Sequence, residues 1–283
     1  MKKPNLPAAG IDPYIEANRG FLTASKLKLF MKDPYMYWVK YELELDVGDK
    51  VETYFQLGTA FDDFVSYGEL EFWRRYEILE PRKKRTEGAQ KLQFTNSDGA
   101  VLLNMMKEAR RQTLFDLSGE YNPQVEIKCE YEGIKLKGTL DRENEKMIRD
   151  TKTMSPPGKM AFSKMCCLSC VDFDYLFSMG FYRVLRYIHS GQRKKCICDF
   201  FGKGDPVKYL AVEIPEEVLN EQEARIMEAL AFFKQCKDKD EWPQRKNTFT
   251  DDHLKAPYYP VNPSAIQTEF YQFQPDNFYH SQE

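Results

Sequence analysis

The feature that most constrains the fold is a charged hairpin pattern over residues 124–153, which read QVEIKCEYEGIKLKGTLDRENEKMIRDTKT. Alternating apolar residues predict a first strand that runs through Leu140. A polar turn is predicted at residues 142–145, and apolar character resumes at Met147 for a second strand. The chain therefore contains a two-stranded unit that carries acidic residues within its strands rather than only in its loops.

Asp150, Thr151 and Lys152 lie on the second predicted strand, shortly after Asp141 on the first. Residues two apart on a strand face the same side, so Asp150 and Lys152 project together and Thr151 points away. Carboxylates bind Mg²⁺ or Mn²⁺, which polarise a phosphoryl oxygen, and an ammonium neutralises negative charge in the transition state. The pattern is what metal-dependent hydrolysis of a phosphodiester requires.

The triplet alone does not establish catalysis, because charged triplets on solvated strand faces are common in a chain that is 30% charged. In a flat hairpin Asp141 would also pair near Lys146, about four residues or roughly 13 Å from Asp150. Convergence of the two acids on one cation would then require twist, splay or a bulge.

The rest of the pattern predicts a mixed α/β fold. Apolar residues at helical spacing place Asp62 on a helix, and Asn96 or Ser97 is expected to cap a helix that reaches about Leu117. The other predicted elements are an edge strand at 72–79, a long helix ending at 188, strands at 196–201 and 208–214, and a helix from 215 to about 237.

Length and composition suit one elaborated domain. The chain has 283 residues and is 42% hydrophobic, which is enough for a single α/β core. We expect this domain over residues 1–242, with an N-terminal helical elaboration. Residues 243–283 are rich in aromatic side chains and in proline, and the prolines disfavour a long helix. This extension is expected to pack on the domain or on a neighbouring subunit.

Four sequence blocks occur in a fixed order along the chain. They are FLTASKLKLFMKDPYMYW (21–38), LGTAFDDFV (57–65), the pair KGTLD (137–141) and RDTKT (149–153), and ALAFFKQCKDKDEWP (229–243). Together they resemble the PD-(D/E)XK nuclease superfamily, specifically the RecB-like phage exonucleases and the RecE-type (exonuclease VIII-like) group. The resemblance implies a restriction-endonuclease-like core, in which helices flank a central mixed sheet.

The same resemblance implies roles for individual residues. Asp141 and Asp150 would bind Mg²⁺ or Mn²⁺ together with Asp62 and the carbonyl of Thr151, and Lys152 would orient or activate the attacking water. Asp62 stands where related enzymes have a histidine or an acid, and an oxygen ligand suits a hard cation; its alternative is a helix surface charge. Supporting roles are implied for Glu126, for Ser178 where a glutamine is usual, and for Tyr182, whose alternative is a core position.

The formal net charge of −3 gives no overall attraction to nucleic acid, so DNA contacts would have to come from local basic clusters. Each cluster can equally be a solvated surface. The candidates are Arg82, Lys83, Lys84 and Arg85, the pair Arg110 and Arg111, and Arg193, Lys194 and Lys195.

The seven cysteines favour reduced thiols over a disulfide framework or an iron–sulfur cluster. Cys166, Cys167 and Cys170 form a C-C-x-x-C run, but the cluster-binding pattern of Cas4-type nucleases includes a cysteine near the N-terminus, and the first one here is Cys129. We expect a bacterial or phage-infected cytoplasm as the location, and no apolar run reaches membrane-spanning length.

The resemblance implies an exonuclease that hydrolyses linear duplex DNA from an end in phage-type recombination. It also implies a ring-shaped homo-oligomer and a single-strand annealing protein as partner. Two alternatives stay open. One is a Cas4-like or repair nuclease that acts on single strands or flaps, and the other is a DNA-binding module whose site has decayed, as the residues Asp62 and Ser178 could indicate.

Overall fold

The computed structural model describes residues 16–45, 53–86, 88–112, 121–155, 158, 160–243, 267–268 and 271–272. The described helices are α1 (Ala24–Lys32), α2 (Pro34–Tyr37), α3 (Thr53–Arg75), α4 (Asn96–Arg111), α5 (Phe162–Asp172), α6 (Tyr175–Ser190) and α7 (Glu216–Lys239), with a π-helical turn at Trp38–Glu42. The described strands are β1 (Tyr76–Ile78), β2 (Leu92–Phe94), β3 (Asn122–Tyr131), β4 (Ile134–Glu143), β5 (Met147–Met154), β6 (Lys195–Gly202), β7 (Lys208–Ile214), β8 (Gln267–Thr268) and β9 (Tyr271–Gln272).

A mixed sheet forms the centre of the fold. Strands β3 to β7 follow one another in spatial order, and the two-residue strands β8 and β9 extend the β7 edge. Within this sheet, the described neighbouring strands are antiparallel except β5 and β6, which are parallel. A parallel pair needs a long crossover connection, and here α5 and α6 provide it. Strands β1 and β2 form a separate parallel pair. The mixed α/β architecture predicted from the sequence is confirmed.

Helices cover both faces of this sheet. Phe200 and Phe201 are adjacent on β6 and fully buried, yet they belong to different hydrophobic clusters. Phe200 packs with residues of α1, α5, α6 and α7, whereas Phe201 packs with residues of α3 and α4. Because successive strand residues face opposite sides, the sheet lies between two helical layers, and its central strands are inaccessible to water along most of their length.

The predicted boundaries of helices and strands are mostly confirmed where a capping residue or a run of apolar residues marks them. Thr23 caps α1 by accepting a hydrogen bond from the Lys26 amide at 3.3 Å, and Asp33 caps α2, which has Pro34 in its first turn. The predicted strands near residues 196–201 and 208–214 are β6 and β7.

Three expectations are wrong where tertiary packing overrides the local pattern. The predicted edge strand at 72–79 is only Tyr76–Ile78, because α3 continues through Arg75 and buries Phe72. Helix α4 is capped by Thr95 and ends at Arg111 rather than near residue 117. The single long helix ending at 188 is two helices, separated at residues 173–174 where Asp174 has a left-handed backbone with φ of 53°.

Candidate active site

The β4–β5 hairpin brings the two acids onto neighbouring strands. Arg142 pairs with Arg149 and Glu143 pairs with Ile148, so the paired register ends one residue before Asp141 and Asp150. The expected pairing of Asp141 near Lys146 is therefore wrong, because β4 continues to Glu143 and the turn is shorter than predicted.

The two strands separate just beyond this point. Only two residue pairs join β4 to β5, and the Asp141 carboxylate lies between the diverging strands. There Asp141 Oδ2 accepts a hydrogen bond from the Thr151 amide at 2.8 Å. The backbone of the D-x-K strand thus fixes the orientation of Asp141. The Thr151 carbonyl as a metal ligand remains a prediction.

Asp150 and Lys152 share one face of β5, as predicted. The Lys152 ammonium forms an ion pair with Asp150 Oδ2. The same Nζ lies 4.9 Å from the centroid of the Tyr175 ring, at the start of α6. A cation over an aromatic face is attracted to the negative face of the ring. Tyr175 is therefore part of this site. No sequence pattern singled it out, because a tyrosine on an apolar helix resembles an ordinary core residue.

Asp62 reaches the same region from α3. A Cβ atom at Gly58, one helical turn earlier, would lie 3.3 Å from Thr153 Oγ1, so glycine allows α3 to approach β5 closely. Asp62 Oδ2 accepts a hydrogen bond of 2.8 Å from Gln124 Nε2 on β3. Gln124 also contacts Ser66 of α3 and thereby ties the helix to the sheet. The sequence pattern did not single out Gln124.

Burial and neighbouring carboxylates raise the pKa values of Asp141 and Asp62, and neighbouring carboxylates also raise the pKa of Lys152. Removal from water and the neighbouring charges of Asp150 and Asp62 raise the pKa of Asp141 well above its usual range. Burial and Asp150 raise the pKa of Asp62 to about 6. Burial alone would lower the pKa of Lys152, but Asp150 and Asp141 more than offset this and raise it. Asp62, Asp141, Asp150 and Lys152, called the acid cluster below, are therefore electrostatically coupled.

The donor set of the acid cluster fits a hard divalent cation. All its candidate ligands are oxygen atoms, which Mg²⁺ and Mn²⁺ prefer. Within the described residues, Asp62 Oδ1 and Asp150 Oδ2 are buried without a hydrogen-bond partner, although Asp150 Oδ2 contacts the Lys152 ammonium. Over those same residues no group of three potential ligands has the arrangement of a complete metal site. Small rotations of the carboxylates would therefore accompany binding of a cation.

A second polar cluster lies on the face of β5 opposite Asp150 and Lys152 and was not expected from the sequence. Asp199 of β6 is fully buried and accepts hydrogen bonds from Arg142 at 2.7 Å and from Arg149 at 2.6 Å. The Tyr209 hydroxyl donates a further bond at 2.8 Å. Burial would raise the pKa of Asp199, but the bonds from Arg149 and the charge of Arg142 lower it. These four residues are called the Asp199 cluster below.

Ser178, at the position usually held by glutamine, faces a lysine that the sequence analysis did not single out. Lys28 Nζ of α1 donates to Ser178 Oγ at 3.0 Å and lies 3.5 Å from the carbonyl oxygen of Asp174. Burial is the main reason that the pKa of Lys28 is lowered, and Lys152 and Asp150 also influence it. The Ser178–Lys28 pair therefore borders the acid cluster and adds a second ammonium beside it.

Tyr182 is half-buried and packs beside Gly138 of β4. A Cβ atom at Gly138 would lie 3.3 Å from the Tyr182 ring and 2.6 Å from Leu185 Cδ1, so the glycine of the KGTLD block allows α6 to lie against the sheet. Tyr182 contributes to the electrostatic environment of Lys152. Both the core position and the supporting role considered for it are compatible with this placement.

Glu126, the remaining candidate for a supporting role, has its ion-pair partners outside the acid cluster. Glu126 is exposed on β3 and forms ion pairs with Lys128 and Lys137. Its supporting role stays a prediction, because the ion pairs of Glu126 are with Lys128 and Lys137 and not with the acids.

The candidate DNA contacts differ in exposure. Arg82, Lys83, Lys84 and Arg85 are exposed, and among them Lys83 pairs with Glu80. Arg193 and Lys195 are also exposed, but Lys194 is only 6% exposed and binds the Asn144 carbonyl at the β4–β5 turn. Lys194 therefore stabilises this turn and is not available to a phosphate on the surface.

The cysteines of the C-C-x-x-C run are buried thiols on α5. Burial raises the pKa of Cys167 to about 12, and a hydrogen bond with Cys170 is the main reason that the pKa of Cys198 is raised. Neutral buried thiols are poor metal ligands and poor nucleophiles. Among the described helices, none is both long and apolar enough to cross a membrane.

Comparison with known proteins gives a family match over most of the chain. A family described as "PDDEXK-like domain of unknown function (DUF3799)" matches residues 27–249. No curated protein sequence matches the chain.

Two solved structures illustrate the likeness in three dimensions. The crystal structure of a presumed exonuclease from Eubacterium rectale aligns with a TM-score of 0.60 and 15% identity, over 89% of this chain and 100% of that one. At this identity the likeness shows a shared fold and nothing further. An alkaline exonuclease from Laribacter hongkongensis aligns with a TM-score of 0.30 and 12% identity, over 80% of this chain and 96% of that one. A TM-score this low supports no argument.

Proposed function

The chain belongs to the family of PDDEXK-like domains, and from this membership we propose that it is a divalent-metal-dependent DNA exonuclease that hydrolyses linear duplex DNA from an end. The observation that carries the proposal is the acid cluster. Asp62, Asp141 and Asp150 come from three different elements, and the Lys152 ammonium pairs with Asp150 and acts electrostatically on the other two carboxylates. A fold gains no stability from three coupled carboxylates with one cation, so such a group is expected where a further cation binds.

Asp141 and Asp150, with Asp62, would hold the divalent cation. When bound, the cation polarises a phosphoryl oxygen and lowers the pKa of the attacking water. The Thr151 amide keeps Asp141 in place through its hydrogen bond, and Gln124 does the same for Asp62. These two bonds orient the ligands before substrate arrives, which reduces the reorganisation required during the reaction.

Lys152 acts as a cation and not as a proton acceptor. Its pKa is raised by Asp150 and Asp141, so the Nζ atom stays protonated at neutral pH. A protonated Nζ can donate a hydrogen bond to the attacking water or to a phosphoryl oxygen, and its charge offsets the negative charge that builds up on the phosphate. The Tyr175 ring beneath it restricts where the ammonium can move.

The biological setting of the proposal follows from the family resemblance of the sequence blocks. It comprises action from DNA ends in phage-type recombination, a ring-shaped homo-oligomer, and a single strand left for an annealing protein. Mg²⁺ is the proposed cation, with Mn²⁺ as a substitute. Cytoplasmic action on DNA belongs to the same proposal. The expected packing of residues 243–283 lies almost entirely outside the described residues, of which Gln267–Thr268 and Tyr271–Gln272 extend the sheet beyond β7.

The test is a digestion time course on linear duplex DNA, labelled separately at each end, in Mg²⁺ or Mn²⁺. We expect label to be released progressively from one strand polarity, closed circular DNA to stay intact, and Asp150→Ala to be inactive. Equal degradation of circular and linear DNA would show an endonuclease instead. The domain is a non-catalytic DNA-binding module if wild type cleaves no DNA and calorimetry detects no more Mn²⁺ binding to wild type than to Asp150→Ala.

A further inference from the structure

An exposed aromatic side chain lies at the corner between α5 and α6. Phe173 is 62% exposed, which is unusual for a phenylalanine. Its ring stacks on Tyr175 with 5.6 Å between ring centroids and 27° between ring planes. The Tyr175 ring in turn lies beneath the Lys152 ammonium at 4.9 Å. A continuous series of contacts thus leads from the acid cluster through Tyr175 to an aromatic face in solvent.

This corner is held in one conformation by several contacts. The amides of Phe173 and Asp174 donate to carbonyl oxygens of α5 at 3.1 and 3.0 Å. The Asp174 carboxylate pairs with Arg225 of α7 at 3.3 Å, and the Asp174 carbonyl oxygen lies 3.5 Å from Lys28 Nζ. The exposed ring is therefore presented by a fixed backbone, so its exposure does not result from a loose loop.

We infer that Phe173 and Tyr175 form a stacking platform for an unpaired nucleobase of the DNA end whose phosphate is cleaved at the acid cluster. The inference rests on the proposed nuclease function and adds a substrate feature to it. Aromatic rings bind bases of any sequence, because every base has a flat π-face. Such a platform would hold the terminal nucleotide after it has left the duplex.

The surroundings favour a nucleotide over an apolar protein partner. Lys28 and Lys152 lie on the side of the corner that faces the acid cluster, where the backbone phosphates of a bound strand would pass. The Asp174 carboxylate at the same corner is already paired with Arg225. One stacked ring pair with ammonium groups beside it matches the chemistry of a nucleotide, which offers one flat apolar face and an anionic backbone.

The experiment measures binding of the full chain, in chelator to prevent cleavage, to two fluorescent duplexes with a short single-stranded extension. In one duplex the extension carries bases, and in the other it is abasic. Wild type should bind the base-containing duplex about tenfold more tightly. Phe173→Ala should bind both duplexes with the lower affinity, and Phe173→Trp should restore the preference. Phe232→Ala removes a ring that is 43% exposed on α7 and should behave as wild type.

The outcomes separate this inference from the proposed function. If wild type cleaves linear DNA in Mg²⁺ but Phe173→Ala keeps the tenfold preference, the platform is excluded and the nuclease stands. A wild type that cleaves DNA without any preference for the base-containing extension excludes it as well. If wild type neither binds nor cleaves DNA, both proposals fail.

Discussion

Two buried acidic groups meet at β5, where Asp199 contacts Arg149 on one face and Asp150 pairs with Lys152 on the other, and their charges are balanced in different ways. In the Asp199 cluster one carboxylate accepts bonds from two guanidinium groups and a tyrosine hydroxyl. In the acid cluster three carboxylates share one ammonium, and Asp62 Oδ1 is buried without a hydrogen-bond partner among the described residues. The carboxylate of the first group is fully paired with cations, whereas the carboxylates of the second outnumber their cation.

The alternation of residues along β5 produces both groups from one strand. Arg149 projects to Asp199, Asp150 projects to Lys152, and Thr151 lies on the Asp199 side, where its hydroxyl is 3.4 Å from Arg142. A buried charge that is fully paired maintains the fold, while a buried charge that lacks a partner costs stability and is kept for another reason. The same substitution, aspartate to asparagine, should therefore have different consequences on the two faces.

The largest effect is expected for Asp150→Asn. Loss of a charged ligand should lower DNA cleavage by about 10⁴-fold, equivalent to about 5 kcal/mol of transition-state stabilisation. The free energy of unfolding measured in chelator should not fall, because the substitution removes a charge from an acidic group. Cleavage kinetics and urea denaturation of the same preparation check this, and unfolding at lower urea would assign Asp150 a mainly structural role.

Asp199→Asn should mainly lower stability, whereas Asp150→Asn should mainly lower the cleavage rate. It leaves Arg142 and Arg149 buried opposite a neutral amide, which should lower the free energy of unfolding by about 3–4 kcal/mol. Because the pKa of Asp199 is lowered in the fold, its contribution is present above the ordinary pKa and is lost as the pH falls through the folded value. Urea denaturation at pH 7 and pH 3 should therefore show a difference between variant and wild type at pH 7 that narrows at pH 3. An equal difference at both pH values would contradict the charge-pairing argument.

Lys152→Ala tests the single ammonium of the acid cluster. Turnover should fall about a hundredfold, near 2.7 kcal/mol, while Mn²⁺ affinity measured by calorimetry stays close to that of wild type. Lys234→Ala, which removes an exposed lysine on α7, is the matched control and should retain full turnover. Unchanged cleavage by Lys152→Ala would remove this residue from the mechanism.

The smallest effect is expected for Asp62→Asn in the absence of metal. The pKa of Asp62 is raised to about 6, so its ionised form destabilises the fold above that pH and has no such effect below its ordinary pKa. The variant should gain on the order of 1 kcal/mol at pH 7 and nothing at pH 3.5. Asp63→Asn, the neighbouring control, loses bonds from Arg75 and Tyr76 and should be less stable at pH 7.

Local signals in the sequence predicted the parts of the molecule that depend on neighbouring residues. Thr23 and Asp33 cap their helices, Asp62 lies on a helix, and Asp150 and Lys152 share a strand face. Each of these depends on capping chemistry or on the period of a helix or strand, which is fixed within a few residues. The family resemblance of the ordered blocks added the core architecture, which the structure confirms.

Interactions between distant segments could not be obtained in this way. The pairing of Arg142 with Arg149, next to Asp141 and Asp150, depends on the length of the turn between β4 and β5. Nothing in the local pattern around Asp199 shows that two arginines of other strands surround it. The left-handed backbone at Asp174 separates α5 from α6 beside the exposed Phe173, and no local pattern predicted this break.

The sequence by itself therefore determined which residues carry charge on which face of each element. Only the tertiary structure decided which of those charges meet. Strand register and helix docking bring together residues that are separated by 80 positions or more, as with Asp62 and Asp150. These long-range contacts depend on the packing of two helical layers against one sheet, and this packing involves residues from the whole chain rather than from any short segment.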